Sequence, residues 1–380
     1  MFEIKEKEPA GTLIKVVGVG GAGGNAVDHM IREGVKGVEF VCANTDAQAL
    51  LRSSAPSKIQ LGDSGLGAGA KPEAGRAAAL DARDRIAEAL EGAHMVFITA
   101  GMGGGTGTGA APVVAEVARE KGILTVAVVT KPFDFENRHR VADSGIEELA
   151  KNVDSLIVVL NEKLMEVYGE DASVEECFQS ADNVLRNAVG GIAEIINLPG
   201  LVNVDFQDVR TVMAEMGRAM MGSAEAAGLD RARIAAEQAA CCPLLEGVEL
   251  SGARGVLINI SASRSLKMSE VREAVNTVRA FAHQDAFVIY GTVFEESMED
   301  RIRVTVVATG LGVTKAAVAQ KTPMQVIRTG TDNVGIEVDY SDLEQPAVIR
   351  RPHRRSTVEA MSANGFGTLD IPAFLRKQAD

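Results

Sequence analysis

One segment of nine residues constrains the fold and function of this chain more than any other. Residues 101–109 read GMGGGTGTG, with six glycines and two threonines, between the apolar run Met95–Thr99 and a helical pattern at Ala110–Lys121. A simple turn needs only one or two glycines. Such density lets backbone amides approach a ligand, and the amino end of the following helix adds free N–H donors and a positive dipole end. The segment therefore predicts a phosphate-binding loop, with Thr106 and Thr108 as additional hydroxyl donors.

A second glycine-rich segment has the same setting. Residues 18–25 read GVGGAGGN, after the β-branched run Thr12–Gly18 and at the start of a helical pattern. The segment fits the dinucleotide pattern G-x-G-x-x-G, and Asp46 stands where such folds place a ribose-binding acid, so an NAD-dependent oxidoreductase is an open alternative. Two such loops on one sheet edge would instead hold a triphosphate from two sides. The chain has no G-x-x-x-x-G-K-[ST] motif, so we expect amides, a helix dipole and Mg²⁺ to neutralise the phosphates.

Strand and helix patterns alternate along the first half of the chain. We expect buried strands at Thr12–Gly18, Val38–Ala43, Met95–Thr99, Ile123–Thr130 and Ser155–Leu160. We expect helices at Gly23–Arg32, Ala110–Lys121 and Glu136–Asn152. This alternation predicts βαβ units in a Rossmann-type α/β domain with a parallel sheet. Ligands of such sheets lie beyond the carboxyl ends of the strands, where both glycine-rich segments fall.

A long helical pattern separates this half from a second domain. It covers Ser173–Ile196, ends in the stop signal NLPG and is interpreted as a connecting helix. The α+β domain that follows has expected strands at Gly255–Ser261, Ala286–Phe294 and Arg301–Thr309, and helices at Asp230–Ala240 and Ser269–Ala282. The predicted divisions are a flexible N-terminus (1–11), a nucleotide-binding domain (12–172), the connector with a catalytic loop (173–216), an α+β domain (217–312), a disordered linker (313–369) and a partner-binding peptide (370–380).

Charge and cysteine content exclude several classes of protein. The chain carries 52 acidic against 39 basic residues, a net charge of −13, which disfavours nucleic acid and anionic membrane as primary partners. It has no apolar run long enough to span a bilayer and no signal-peptide pattern. Its cysteines are Cys42, Cys177, Cys241 and Cys242. Their spacing predicts neither a metal site nor a disulfide framework, so we expect buried reduced thiols and no metal-ligating set of side chains.

Five motifs together resemble the FtsZ family of bacterial division GTPases, within the tubulin superfamily. They are GVGGAGGNAV (18–27), GLGAGAKPEAGR (65–76), GGGTGTG (103–109), TKPFDFE (130–136) and NVDFQDVRTVM (203–213). The resemblance runs from about Ile14 to Gly312; within it, Gly24-Asn25 stands where many relatives carry two asparagines. It implies a tubulin-like fold, GTP and GDP as ligands, Mg²⁺ held mainly through phosphates and water, and K⁺ as a second candidate cation. It also implies a cytoplasmic filament of the division ring at midcell.

The resemblance assigns roles to individual side chains. Glu136 is expected at the ribose hydroxyls and Arg140 at the phosphates and ribose, although a salt bridge between them is the alternative at this spacing. The base is expected between Phe178, Asn161 and Asp182, whose carboxylate would accept from guanine N1–H and the N2 amine. The other expected nucleotide-binding residues are Gly20, Gly21, Ala22, Gly23, Gly24, Asn25, Asn44, Asp46, Gly69, Ala70, Gly103, Gly104, Gly105, Thr106, Gly107, Thr108 and Gly109.

Two acids after the connector are the candidate catalytic groups. Asp205 and Asp208 follow Asn203, which completes the candidate set. Helix capping explains one aspartate but not two. The connector spans roughly 36 Å at the rise of an α-helix, so these acids are expected to act on the nucleotide of a neighbouring copy in a head-to-tail filament. Besides the GTP-hydrolysing filament and the NAD-dependent oxidoreductase, a non-hydrolysing filament in which both acids are only caps remains an alternative.

The carboxyl terminus is expected to tether the filament to partners. Ile371, Phe374 and Leu375 lie at i, i+3 and i+4 within Asp370–Lys377, after a long polar segment. An apolar face of this kind fits a groove on another protein. The resemblance implies membrane anchors of the FtsA and ZipA types as partners, so that the membrane is reached only indirectly.

Overall fold

Eleven strands form one sheet in the part of the chain that the computed structural model describes. The described residues are 11–168, 173–197, 200–202, 204–214, 217–241 and 250–311. The strands are β1 (Ile14–Val19), β2 (Glu39–Asn44), β3 (Ser57–Gln60), β4 (Met95–Gly101), β5 (Leu124–Lys131), β6 (Ser155–Leu160), β7 (Gly200–Val202), β8 (Gly217–Ala227), β9 (Gly255–Ala262), β10 (Phe287–Phe294) and β11 (Arg301–Leu311). The helices are α1 (Gly20–Arg32), α2 (Ala47–Arg52), α3 (Pro72–Asp81), α4 (Arg83–Ala89), α5 (Thr106–Glu120), α6 (His139–Ala150), α7 (Asn161–Tyr168), α8 (Val174–Asn197), α9 (Phe206–Met213), α10 (Arg231–Ala240) and α11 (Met268–Phe281).

The first six strands form the predicted parallel, Rossmann-type half. Their order is β3-β2-β1-β4-β5-β6, and every neighbouring pair is parallel. Apolar side chains alternate between the two faces: Ile14 and Val16 belong to one core, Val17 and Val19 to the other. Burial on both faces explains why the strands read as continuous apolar runs.

The sheet continues into the second half through β8. This strand pairs with the start of β6 in parallel and with β11 in antiparallel orientation. β9 pairs with both β11 and β10, and β7 lies at the far edge. The α+β class of this half is confirmed. The strand patterns expected from the sequence omitted β3, β7 and β8, and β8 was hidden by its Ala, Met and Glu content, which is typical of a helix.

The connecting helix α8 runs from the side of the parallel sheet where the strands end to the side where they begin. Near its start, the Phe178 ring lies 5.5 Å from the ring of Phe133, which follows the carboxyl end of β5. At its end, Asn197 Nδ2 donates to the Gly37 carbonyl at 2.6 Å, just before the amino end of β2. Its 24 residues span about 36 Å. The helix therefore ends at the amino ends of the strands, whereas the glycine loops lie at their carboxyl ends.

Three helices begin three or four residues away from the expected position. α1 begins at Gly20 instead of Gly23, and α5 begins at Thr106 instead of Ala110, so that α5 starts inside its glycine loop rather than after it. The helix expected from Glu136 begins at His139 instead, because Asn137 has a φ of +53° and separates it from a short 3₁₀ turn at Asp134–Glu136. Asparagine tolerates this left-handed conformation better than most residues do.

The cysteine prediction holds for two of the thiols. Cys42 and Cys177 are buried and free, whereas Cys241 is free but exposed, so its expected burial is wrong. Position 241 follows the last residue of α10 and therefore does not enter the core. Cys242, Asn203, the predicted linker and the terminal peptide lie outside the described residues.

Candidate nucleotide site

The two glycine loops meet at the carboxyl ends of β1 and β4. Gly20 follows β1 with a φ of +76°, and a Cβ at this position would lie 2.9 Å from the amide nitrogen of Gly107. Gly23 approaches β4 as closely, since its Cβ would lie 2.3 Å from the carbonyl oxygen of Thr99. A side chain at Gly20 would separate the two loops, and one at Gly23 would push α1 away from β4. The glycines of the first loop therefore allow α1 to start directly against α5.

Close packing of backbone explains three of the six glycines of the second loop, two of them at the start of α3. A Cβ at Gly105 would lie 2.8 Å from the Lys71 amide, and one at Gly109 would lie 2.0 Å from the Pro72 carbonyl. A Cβ at Gly107 would lie 2.5 Å from the Gly101 carbonyl. The expectation that six glycines are present for ligand access is therefore wrong in part. Close approach of backbone to backbone requires several of them.

One glycine in each loop has an open face. At Gly21 and at Gly104, a Cβ would have no described atom within 4 Å apart from its immediate chain neighbours. Neither residue has a positive φ, so conformation does not require glycine there. These two positions leave space for a ligand beside the amino ends of α1 and α5.

The two threonines of the second loop differ in role. The Thr106 hydroxyl lies 2.6 Å from the Thr45 hydroxyl and joins this loop to the end of β2. The Thr108 hydroxyl is buried and accepts from the Gly103 amide at 2.9 Å. Thr108 thus fixes the shape of the loop, whereas Thr106 lines a cavity at the site. Thr45 was not predicted as a site residue, although it stands between the predicted Asn44 and Asp46.

A cavity of about 580 Å³ opens beside the first loop. Asp46 lies on its wall and caps α2, with Oδ1 accepting from the Gln48 amide at 2.8 Å and the Ala49 amide at 3.3 Å. The cavity is lined by Gly21, Gly24, Asn25, Asp28, Cys42, Asn44, Thr45, Asp46, Ala49, Arg52, Ser53, Gly67 and Thr106. Burial raises the pKa of the Cys42 thiol, so it lines the cavity in its neutral form.

The segment before α3 closes toward the second loop. Gly69 and Ala70 have φ values of +58° and +59°, in the left-handed region that alanine rarely adopts. This conformation reverses the chain immediately before Lys71, whose amide approaches Gly105. The predicted residues Gly69 and Ala70 therefore lie beside the second glycine loop.

The predicted pair Glu136 and Arg140 does not form a salt bridge. Glu136 instead pairs with Arg138 and accepts from the Phe133 amide at 3.0 Å. Arg140 is exposed, and among the described residues its guanidinium has no hydrogen-bonding or ionic partner. The alternative i,i+4 interpretation is wrong, and Arg140 remains available to an anion. Sequence reasoning did not identify Arg138 as the partner of Glu136.

The three predicted base-binding residues have the properties of a recognition site. Asn161, the first residue of α7, is buried, and its Oδ1 atom has no described hydrogen-bond partner. Phe178 is 45% exposed, and its ring packs edge-to-face against Phe133, which leaves ring surface free for stacking. Asp182 lies one turn further along α8. A buried acceptor without a partner costs free energy unless a ligand satisfies it.

Asp182 has the most perturbed described carboxyl group near the site. Burial raises its pKa from 3.8 to about 6, and the charges of His29 and Arg32 on α1 oppose that rise. At neutral pH the group is therefore ionised at a cost to the folded chain. Perturbed carboxylates of this kind are frequent at functional sites.

Asp205 and Asp208 lie at the opposite edge of the sheet. Asp205 caps α9 by accepting from the Asp208 amide at 2.8 Å. The Phe206 ring lies 6.1 Å from the ring of His94, immediately before the amino end of β4. The Met213 carbonyl accepts from the Ser155 hydroxyl at the amino end of β6. Helix α9 thus lies along the amino edge, separated from the glycine loops by the length of β4, about 20 Å.

The two aspartates are not equivalent. The Asp205 side chain is engaged in capping, whereas Asp208 is exposed and its carboxylate accepts no hydrogen bond within the described chain.

The described residues contain no cluster of three or more His, Cys, Asp or Glu side chains that would hold a metal ion. None of the described helices is both long and apolar enough to cross a bilayer.

The strand order and the paired loops define a nucleotide-binding domain, and sequence profiles define its class. The profile of the Tubulin/FtsZ family, GTPase domain, matches residues 13–169. The profile of the FtsZ family, C-terminal domain, matches residues 217–312. The fold is therefore tubulin-like, with an amino-terminal GTPase half.

Full-length relatives and solved structures narrow the class. The chain is 54% identical to cell division protein FtsZ of Coxiella burnetii over 99% of each chain, and 52% identical to that of Pseudomonas aeruginosa over the whole of both. A structure of an FtsZ point mutant from M. jannaschii matches with a TM-score of 0.76 and 44% identity, over 79% of this chain and 92% of that one. The structure of a GTPγS-bound protofilament of CetZ2 from Haloferax volcanii matches at 20% identity with a TM-score of 0.68, over 80% of this chain and 95% of that one. This match supports the fold alone.

The chain belongs to the FtsZ family. It is a GTPase that binds GTP and GDP, and a self-assembling, filament-forming protein of cell division.

Proposed function

We propose that the nucleotide binds along the carboxyl edge of the parallel sheet, with its phosphates between the glycine loops and its base against α8. The open faces at Gly21 and Gly104 support this arrangement, because each lies beside a helix amino terminus that favours negative charge. The proposed contacts are Gly20, Gly21, Ala22, Gly23, Gly24, Asn25, Asn44, Asp46, Gly69, Ala70, Gly103, Gly104, Gly105, Thr106, Gly107, Thr108, Gly109, Glu136, Arg140, Asn161, Phe178 and Asp182.

Guanine is recognised at the start of α8 in this proposal. The Asp182 carboxylate accepts from N1–H and the N2 amine, and the exposed face of Phe178 stacks on the base. Asn161 Oδ1, which is buried without a described partner, accepts a further hydrogen bond from the nucleotide. Adenine lacks the donor pair that Asp182 requires, so the site prefers guanine.

The phosphates and ribose are held by amides and two charged side chains. Arg140 binds phosphate oxygens, and Glu136 accepts from the ribose hydroxyls while Arg138 stays within its reach. When Mg²⁺ is bound, it neutralises phosphate charge and is held mainly through the phosphates and water. K⁺ is a second candidate cation. Asp46, which caps α2, and Asp28 are the acids that line the cavity beside the first loop.

Hydrolysis takes place between two copies of the chain in this proposal. The single observation that supports this is the separation of the glycine loops and Asp208 on opposite edges of one sheet. Head-to-tail stacking brings the amino edge of one copy onto the carboxyl edge of the next, and such a contact continues into a filament. Asp208 of the neighbour then orients the attacking water, while Asp205 caps the helix that presents it. Asn203, the third predicted catalytic residue, lies outside the described residues.

Phosphate release tests this assignment. Turnover per chain should rise steeply with protein concentration in the wild type, and Asp208→Asn should lower it by about 10²-fold while GTP still binds. Asp84→Asn is the matched control, because Asp84 is also an exposed acid in the first turn of a helix. Full turnover by a homogeneous Asp208→Asn polymer would contradict the assignment and would favour the alternative that both acids only cap their helix and take no part in hydrolysis.

The cellular setting follows from the same proposal. The filament assembles in the cytoplasm at midcell, and segment 370–377 binds anchors of the FtsA and ZipA types, so that the membrane is reached indirectly. Two domains, 12–172 and 217–312, with a connector at 173–216, carry nucleotide binding and the neighbour contact. A chain that ends at position 369 should hydrolyse GTP normally and lose binding to such anchors, as measured by co-sedimentation.

A further inference from the structure

A part-buried hydrogen bond joins α1, which starts in the first glycine loop, to α8, which carries Asp182. His29 of α1 is 8% exposed, and its Nε2 lies 2.8 Å from Oδ1 of Asn183 on α8. An amide oxygen only accepts, so Nε2 carries the proton and donates. His29 lies nine residues along α1 from Gly20, about 13 Å from the phosphate loop.

The acceptor of this bond is next to Asp182 in the chain. Asn183 follows Asp182 directly, so fixing the Asn183 side chain also fixes the turn of α8 that presents the Asp182 carboxylate. His29 and Arg32 are the charged or titratable α1 groups that act on that carboxylate.

We propose that His29 is a positioning residue for base recognition, which sets the orientation of Asp182 relative to the phosphate loop through its hydrogen bond to Asn183. This inference rests on the proposed role of Asp182 in binding guanine. It assigns to the buried face of α1 a part in selectivity, although His29 itself does not contact the nucleotide. The hydrogen bond makes phosphate binding and base binding parts of one rigid unit.

The test compares two nucleotides that differ only at the position Asp182 recognises. GDP carries the N2 amine, and IDP lacks it. Dissociation constants of both are measured by fluorescence competition with the full-length, nucleotide-free chain, below the concentration at which it assembles. His29→Ala should reduce the preference for GDP over IDP by about threefold to tenfold, the range expected for one lost hydrogen bond.

Two further variants separate positioning from packing. His29→Gln keeps a donor on a side chain of similar reach and should retain the preference to within about twofold. Asn183→Ala removes the other end of the bond from the exposed side of α8, and should reproduce the effect of His29→Ala. The double variant should then lose no more than either single variant.

Each outcome decides the proposal. Equal weakening of GDP and IDP by His29→Ala, or an unchanged ratio in Asn183→Ala, would show that the bond contributes only to stability and would overturn it. Asp182→Asn tests the underlying assignment separately, since it should abolish the preference. If Asp182→Asn leaves the ratio of the GDP and IDP dissociation constants unchanged, the base assignment fails and this inference fails with it. If Asp182→Asn abolishes the preference for GDP and the His29 and Asn183 variants do not change it, only the role of His29 is refuted.

Discussion

Replacement of Asp182 by asparagine should stabilise the nucleotide-free chain and at the same time remove its preference for guanine. Burial raises the pKa of this carboxyl from 3.8 to about 6. That rise corresponds to about 3 kcal/mol at 1.36 kcal/mol per pKa unit. The carboxylate is only partly buried, so solvent screening reduces the expected gain on removing its charge to about 1–2 kcal/mol.

The pH dependence of this gain has a definite sign. The folded chain binds a proton at Asp182 more readily than the unfolded chain does, so the penalty is fully present only well above pH 6. It decreases as the pH falls through the folded-state pKa of about 6, and it has disappeared below 3.8. The advantage of Asp182→Asn over the wild type should therefore be largest at neutral pH and small near pH 4.

Urea unfolding of the nucleotide-free, full-length chain measures this difference. Wild type, Asp182→Asn and the control Asp285→Asn are compared at pH 7.5 and pH 5; the Asp285 side chain is 94% exposed and should behave as wild type. An Asp182→Asn chain that is less stable than wild type at pH 7.5 would refute the reasoning. So would an advantage that stays constant between the two pH values.

Three further predictions concern the loops, the second half of the chain and the thiols. Gly104→Ala should weaken GTP binding without loss of stability. Gly107→Ala should lower the free energy of unfolding by about 2 kcal/mol or more, because its Cβ would lie 2.5 Å from the Gly101 carbonyl. Urea unfolding and nucleotide binding, measured on both variants, separate the two effects. Glu270→Ala should lower the free energy of unfolding at pH 7 by about 3 kcal/mol in urea, because it leaves the buried guanidinium of Arg231 without its carboxylate. Arg231 lowers the pKa of Glu270, so the difference between this variant and the wild type should decrease as the pH falls below 4.5. In the native chain a thiol reagent should modify the exposed Cys241 within the mixing time and the buried Cys42 far more slowly, and equal rates would contradict the described burial.

Five of the six strands of the parallel half are readable from the sequence, whereas β3 and β8 are not. β-branched apolar runs mark strands that are buried on both faces, and five such runs coincide with β1, β2, β4, β5 and β6 to within two residues. β8 has the composition of a helix, and it becomes a strand because β6 and β11 offer their edges to it. Such pairing depends on residues far away in the chain, which local propensity does not register.

The position of the glycine loops in the fold was predictable, but the reasons for their composition were not. The loops lie at the sheet edge where parallel strands end, as α/β topology requires. The glycine density, however, reflects the close approach of α3 to Gly105 and Gly109, and no sequence pattern had indicated α3. The partner of Glu136 is Arg138 because Asn137 breaks the helix there, a single left-handed residue that spacing rules overlook.

The measurement that tests the account most directly is turnover in a mixture of two inactive chains. Asp208→Asn keeps its glycine loops, and Gly104→Asp keeps Asp208 but places a negative charge where phosphate binds. If one chain supplies the loops and its neighbour supplies the acid, an equimolar mixture forms intact junctions at about a quarter of its contacts and should release phosphate at roughly that fraction of the wild-type rate. A rate no higher than the sum of the two separate chains would contradict the account.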